Sequence, residues 1–269
     1  IRKDENLFII FMNQLQTWWG DKLEEDTIDT FIYIFNKNID DEIRQIVNTT
    51  KELFSYNILN QRELSKLIDK YLIPQELEKK TNAEISTPFE LRKEMLDKIP
   101  GSFWKKPRKV FEPCSGKGGF LIDIIDRFMN GLQEKYPDPR KRYKIIVEKC
   151  LYFSDINPTN IYVNKLLLDP YNEYSLNYNE GNTLELDIKK KWNITGFDAV
   201  IGNPPYQPPS NNKKGGKSIW NEFVKYSLKN LKVKGLLLYV HPRGWRQINS
   251  KIGHIMKQKQ IIYWKQFRI

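Results

Sequence analysis

The strongest chemical feature of the sequence is a rigid corner of four residues. Asn203, Pro204, Pro205 and Tyr206 follow directly on the apolar run 197–202. Two consecutive prolines remove two backbone donors and fix φ, so the corner is stiff and its carbonyls point outward. The side-chain carbonyl of Asn203 and the backbone carbonyl of Pro204 can together accept both hydrogens of one NH2 group, while Tyr206 offers a flat face to a planar substrate. The alternative is a structural proline-rich turn with a buried tyrosine.

A second feature is a glycine-rich turn that joins a predicted strand, residues 109–112, to a predicted helix, residues 119–129. Glycines let a ligand approach the backbone closely, and the helix N-terminus offers free N–H groups. A Walker-type phosphate loop does not fit, because Lys117 is followed by Gly118 and the required upstream glycine is missing.

A third candidate is Asp155, which ends the predicted strand 151–155. A carboxylate at the C-terminal end of this strand can accept two hydrogen bonds from the hydroxyls of a ribose. The alternative is a helix-capping aspartate, because Asn157 and Pro158 have the form of a helix start.

The elements that must position these residues alternate between strands and helices. Further strands are predicted at 235–240 and 261–267 and a further helix at 219–231, whereas residues 131–147 read as a polar insertion. This alternation predicts an α/β fold with a doubly wound, mostly parallel sheet. Residues 1–75 carry apolar residues at helical spacing and predict a small helical domain in front of a catalytic domain at 76–269.

The bulk composition narrows the class of protein. A net charge of +11 suggests a polyanionic partner, although a lysine-rich composition of genomic origin would give the same excess. Two cysteines favour a reducing, cytoplasmic location, and two histidines do not suggest a metal site. No apolar stretch reaches the length of a membrane helix.

Over about residues 80–269 these features resemble the amino-group methyltransferases of the class I S-adenosylmethionine fold, which is Rossmann-like. Asn203 to Tyr206 matches the catalytic motif of the N6-adenine DNA methyltransferases of restriction–modification systems without change. The turn Glu112 to Phe120 resembles their first cofactor motif, and Thr87-Pro88 resembles their upstream cofactor motif.

The resemblance implies a set of residue roles. Asp155 would bind the ribose of S-adenosyl-L-methionine, Ile156 would lie against its adenine, and Asn182 stands where the family usually has an acidic residue for the adenine amino group. The implied catalytic residues are Asn203, Pro204, Pro205 and Tyr206. The implied cofactor-binding residues are Thr87, Pro88, Glu112, Pro113, Cys114, Gly116, Gly118, Phe120, Asp155, Ile156, Asn182 and Thr183.

The implied activity is transfer of a methyl group to a flipped-out adenine of double-stranded DNA. Lys213, Lys214 and Lys217 would contact its backbone, or else belong to a solvated loop. The same tetrapeptide occurs in ribosomal RNA methyltransferases and in glutamine methyltransferases of release factors, and a non-catalytic subunit of the same fold is a further alternative. We expect the chain to be truncated at its C-terminus, with target recognition supplied by a missing part or a partner.

Overall fold

The computed structural model describes residues 86–169, 172–207, 218–246, 250 and 252–266. The predicted helical domain 1–75 and the loop lysines 213, 214 and 217 lie outside these residues. Residues 86–168 and 175–266 belong to one compact unit. Of the other unit only residues 169 and 172–174 are described; there the Asp169 carboxylate accepts hydrogen bonds from the backbone of Glu173 and Tyr174.

The unit is built around a parallel sheet with the strand order β3-β2-β1-β4-β5. Its strands are β1 (Val110–Glu112), β2 (Leu151–Asp155), β3 (Asn177–Glu180), β4 (Phe197–Gly202) and β5 (Leu231–Tyr239). Every described pairing is parallel, with Val110 opposite Leu151 on one side and opposite Ala199 on the other. The α/β fold with a parallel sheet is therefore confirmed.

Helices connect the strands and cover the sheet. They are α1 (Phe89–Leu96), α2 (Gly101–Trp104), α3 (Gly119–Gly131), α4 (Pro139–Ile145), α5 (Pro158–Leu168), α6 (Ile188–Trp192), α7 (Trp220–Asn230) and α8 (Gly253–Lys257). A π-helical turn, Ile146–Cys150, joins α4 to β2, and short 3-10 turns lie at Thr183–Glu185 and Arg243–Arg246. None of the described helices is long and apolar enough to span a bilayer.

The central strands are buried because helices pack on them. All residues of β1 and β2 are buried, as is typical of a parallel sheet covered on both faces. Phe111 of β1 stacks on Phe197 of β4 with ring centroids 4.7 Å apart, and Trp192 of α6 packs edge-on against Phe111. This aromatic core joins the two strands whose C-terminal ends carry the motifs.

One sequence prediction about the elements needs correction, and two elements were not predicted. The strand predicted at 261–267 does not form over its described residues, 261–266. Tyr263 and Lys265 instead bond to the carboxylate of Glu94, and no strand in the described part of the chain pairs with the segment. The polar insertion 131–147 contains a regular helix, α4, because Asp138 caps it and Pro139 occupies its first turn. The strand β3 was not predicted at all.

Candidate active site

The glycine turn and the proline corner lie at the C-terminal ends of two adjacent strands, β1 and β4. The chain winds to one side of β1 through β2 and β3 and to the other side through β4 and β5, so the strand order reverses between β1 and β4. In open α/β sheets ligands bind in the crevice beyond the strand ends at such a switch point.

The ends of β1 and β4 lie close together. A Cβ atom built on Gly202 would lie 3.5 Å from Cδ of Pro113 and 3.6 Å from Cγ of Glu112. Gly202, which precedes Asn203, therefore lies beside the first two residues of the glycine turn.

The glycine turn adopts backbone conformations that suit glycine. Gly116 has φ of 50° and Gly118 has φ of 87°, both in the left-handed region. A Cβ atom on Gly118 would lie 2.3 Å from Oδ1 of Asn164 in α5, so this glycine also allows the turn to pack against a helix.

Asn164 is a buried residue that sequence reasoning missed. Its amide nitrogen donates to Oγ of Ser115 at 2.8 Å and to the carbonyl of Gly116 at 3.1 Å. It therefore ties α5 to the glycine turn. Nothing in its sequence context distinguishes it from other helical asparagines.

Asp155 holds the same turn from the end of β2. Its carboxylate accepts hydrogen bonds from the backbone N–H of Gly116 and of Asn157, each at 2.8 Å. Burial raises the pKa of this carboxyl group, although both hydrogen bonds lower it again. Asn157 and not Asp155 caps α5, because its Oδ1 atom accepts from the backbone N–H of Thr159 at 3.0 Å. Asp155 orients the glycine turn, and its predicted ribose contact stays a prediction. The adjacent Ile156 is 55% exposed beside it.

The carboxyl group of Glu112 is 2% exposed at the end of β1. Among the described residues its Oε2 atom has no hydrogen-bond partner. Desolvation raises the pKa of Glu112 well above its ordinary value, and the positive charge of Arg92 opposes this shift.

Arg92 of α1 is a second buried residue that sequence reasoning missed. It is 2% exposed, its Nε atom lies 2.5 Å from Oδ2 of Asp123 in α3, and its Nη1 atom donates to the carbonyl of Thr87. A Cβ atom on Gly119 would lie 2.8 Å from the guanidinium carbon. The buried ion pair therefore holds the Thr87-Pro88 segment against the helix that leaves the glycine turn.

Thr183 faces inward, whereas Asn182 is exposed. The Thr183 hydroxyl donates to the carbonyl of Pro113 at 2.6 Å and lies 2.7 Å from Oγ of Ser154. Asn182 accepts from the backbone of Leu184 at 3.1 Å and donates to Glu185 at 2.7 Å. Thr183 thus buttresses the glycine turn, and the predicted adenine contact of Asn182 stays a prediction.

The proline corner is continuous with the sheet and with α7. The carbonyl of Gly202 accepts from Val240 at 3.1 Å, and that of Tyr206 accepts from Ile219 at 3.2 Å. Pro204 is buried, whereas Asn203, Pro205 and Tyr206 are half-buried. The Tyr206 ring packs against a cluster formed by Trp220, Val224 and Ile252. The ring is therefore braced by α7 and not fully free.

The site lacks an activated thiol. Burial, with the nearby carboxylates of Asp155 and Glu112, raises the pKa of the Cys114 thiol well above its ordinary value. Such a thiol stays protonated and is a poor nucleophile. Among the residues that the structure describes, no group of three His, Cys, Asp or Glu side chains could hold a metal ion.

Comparisons of the sequence with known proteins find a family and a relative. Residues 149–268 match the family described as Eco57I restriction-modification methylase. An uncharacterized adenine-specific methylase of Mycoplasma pneumoniae is 23% identical, over 61% of this chain and 56% of that protein.

Solved structures share the fold. A modification subunit of a putative type I restriction enzyme from Vibrio vulnificus superposes with a TM-score of 0.52 at 15% identity, over 75% of this chain and 43% of that one. A putative class I S-adenosylmethionine-dependent methyltransferase from Listeria monocytogenes gives 0.50 at 16% identity, over 95% and 79%. The chain spans about half the length of the Mycoplasma protein and less than half of the Vibrio subunit. The predicted resemblance is thereby confirmed: residues 149–268 match the Eco57I restriction-modification methylase family, within a chain of class I methyltransferase fold.

Proposed function

We propose that this chain is the catalytic part of an S-adenosylmethionine-dependent DNA methyltransferase that acts on the N6 amino group of adenine. The observation that carries the proposal is the close approach of Gly202 to Glu112 and Pro113. It brings an amide-and-proline corner able to hold an NH2 group beside a glycine turn suited to a cofactor. The relative from Mycoplasma pneumoniae is described as an adenine-specific methylase, which supports adenine as the base.

The residues of the glycine turn fit S-adenosylmethionine. The cofactor carries an ammonium group, and the buried Oε2 atom of Glu112, which lacks a partner among the described residues, suits such a cation. The exposed side chain of Ile156 suits the flat, apolar face of its adenine. When bound, S-adenosylmethionine supplies an electrophilic methyl group on a sulfonium sulfur.

The chain's own residues would then position the target base. Adenine must leave the duplex, because its amino group is otherwise engaged in pairing. The Oδ1 atom of Asn203 and the carbonyl of Pro204 would accept the two amino hydrogens, which draws the nitrogen lone pair out of conjugation with the ring. Tyr206, braced by α7, would stack on the base. Most of the acceleration would come from positioning and preorganised dipoles.

A methyl-transfer assay tests the proposal directly. The protein is incubated with labelled S-adenosylmethionine and unmethylated DNA, ribosomal RNA or release factor, and modified nucleosides and residues are identified by mass spectrometry. We expect N6-methyladenine in DNA. If the label appeared only in RNA or only on a glutamine side chain, DNA would not be the substrate and the proposal would be wrong.

The variant Asn203→Ala tests the role of the corner. Removing one preorganised hydrogen-bond acceptor should lower kcat by about 10² to 10³-fold, while affinity for S-adenosylhomocysteine, measured by calorimetry, stays unchanged. Asn130→Ala, at the exposed end of α3, is the matched control and should keep full activity. Loss of cofactor affinity in parallel with activity would contradict the assigned role.

A further inference from the structure

One edge of the parallel sheet is rich in cations and lies away from the candidate active site. We call it the amino edge, because β1, β2, β4 and β5 begin there. Its cationic residues precede or open these four strands, among them Lys105, Lys106, Arg108, Lys149, Lys190 and Lys191.

Contacts across the strands confirm that these segments meet. Lys232 of β5 lies 2.8 Å and Arg108 3.7 Å from the carboxylate of Asp198 in β4. The backbone N–H of Lys109 donates to the same carboxylate at 2.7 Å. The starts of β1, β4 and β5 therefore form one continuous surface.

Acidic residues on this edge are outnumbered by cations. Among the described residues of these segments the acids are Glu148, Asp187 and Asp198. Asp198 already pairs with two cations, Glu148 lies 3.8 Å from Lys144, and Asp187 caps α6 by accepting from two backbone N–H groups. Lys149, Lys190 and Lys191 are exposed on the same edge.

Elsewhere on the described surface, positive and negative side chains are interspersed. Lys225 pairs with Glu222 on α7, Lys265 with Glu94, and Arg127 with Asp97. A lysine-rich composition alone would spread its excess over the whole surface. A concentration on one edge indicates a polyanionic partner there.

We propose that the amino edge binds the backbone of double-stranded DNA as a second contact, separate from the methyl-transfer site. Four strand starts about 4.8 Å apart span roughly 15 Å, which faces about nine phosphate charges of a duplex. The contact goes beyond the proposed methyl transfer, because the six residues of β4 separate the two edges by about 20 Å. A short straight duplex held at the proline corner does not reach the amino edge, whereas a long or second DNA segment does.

The test compares two triple variants of equal charge change. Lys149→Glu/Lys190→Glu/Lys191→Glu alters the amino edge. Lys93→Glu/Lys257→Glu/Lys259→Glu is the matched control, because these lysines are also exposed and lie in α1, at the end of α8 and just after it, outside the segments of the amino edge. Binding to a short duplex of about 15 base pairs and to one well above the persistence length of about 150 base pairs is measured by anisotropy and filter binding over a salt series.

We expect the wild type and the control to bind long DNA more tightly than short DNA. The amino-edge variant should bind both duplexes more weakly than the control variant does, with affinity reduced about ten-fold and the salt slope reduced by about 2 to 3. Thermal unfolding and circular dichroism check the fold, and Lys105→Glu/Lys106→Glu repeats the test from the segment before β1.

If the amino-edge and control variants lost the same DNA affinity, the change in net charge alone would explain the loss and the proposal would be overturned. No loss of affinity in the amino-edge variant would overturn it as well. Preference of the edge for single-stranded RNA of the same length over the duplex would overturn it as well. The binding assay contains no cofactor and measures no methyl transfer. Its result can therefore be interpreted even if the methyl-transfer assay fails.

Discussion

Glu112 is buried between the glycine turn and the proline corner, where its pKa is raised chiefly by desolvation. A raised carboxyl pKa means that the folded protein binds a proton more tightly than the unfolded chain does. Stability contributed by this group is therefore greatest at low pH and falls as pH rises from the ordinary glutamate pKa through the folded value.

The variant Glu112→Gln should remove this dependence. The free energies of unfolding of the variant and the wild type are measured by urea denaturation from about pH 4 to pH 8. The variant should become more stable relative to the wild type as pH rises. Glu134→Gln, at an exposed position, is the control and should run parallel to the wild type. If the free energies of unfolding of Glu112→Gln and the wild type changed in parallel with pH, burial of the Glu112 carboxyl group would not be the source of this pH dependence.

At the scale of elements, the Arg92–Asp123 pair joins α1 to α3 and keeps the Thr87-Pro88 segment beside the glycine turn. Arg92→Met would leave the Asp123 carboxylate buried without this partner. We expect a loss of about 3 to 5 kcal/mol in unfolding free energy, because breaking a buried pair leaves an uncompensated charge.

Two further variants separate this effect from a general loss of charge. Arg127→Met removes an exposed pair with Asp97 and should cost at most about 1 kcal/mol. Arg92→Met/Asp123→Leu should recover part of the loss, since no charge is then stranded. A double variant no more stable than the single one would argue against the ion pair as the cause.

The contact between α5 and the glycine turn leads to a third prediction. Gly118→Ala places a Cβ atom 2.3 Å from Oδ1 of Asn164 at a positive φ, so it should destabilise the fold by about 1 to 3 kcal/mol and weaken cofactor binding. Gly101→Ala meets no atom within 4 Å at the start of α2 and should be neutral or slightly stabilising. Denaturation and calorimetry compare the two, and equal effects would contradict this reading.

For the whole molecule, the two edges of the sheet should respond to different ligands. S-adenosylhomocysteine should slow amide hydrogen exchange at residues 114–118 and at Asn203 and Tyr206, and it should raise the stability of the fold by about 2.7 kcal/mol at one hundred times its Kd. Long DNA should in addition protect residues 105–109 and 189–196. Protection of the amino edge by the cofactor alone would show that the two edges are not independent.

Four of the five strands could be predicted from apolar runs, because β1, β2, β4 and β5 are rich in large hydrophobic residues. The strand β3 consists of Asn177, Tyr178, Asn179 and Glu180, which are half-buried or exposed at the sheet edge, so hydrophobicity gives no signal. The strand predicted at 261–267 is the opposite case, because an apolar run was predicted as a strand and does not form one. Its described residues, 261–266, pair with no strand in the described part of the chain.

The sequence alone determined the local conformational properties of the candidate site residues. Proline restricts its own φ, and glycine enters left-handed turns freely, whatever the rest of the chain does. These are local properties of residue types, and the family resemblance built on them is confirmed. Only the tertiary structure decided that Gly202 meets Glu112, that Asp155 and Asn164 hold the glycine turn, and that Arg92 is buried against Asp123. Those contacts join residues far apart in the chain, and they depend on strand order and helix packing, which no local pattern encodes.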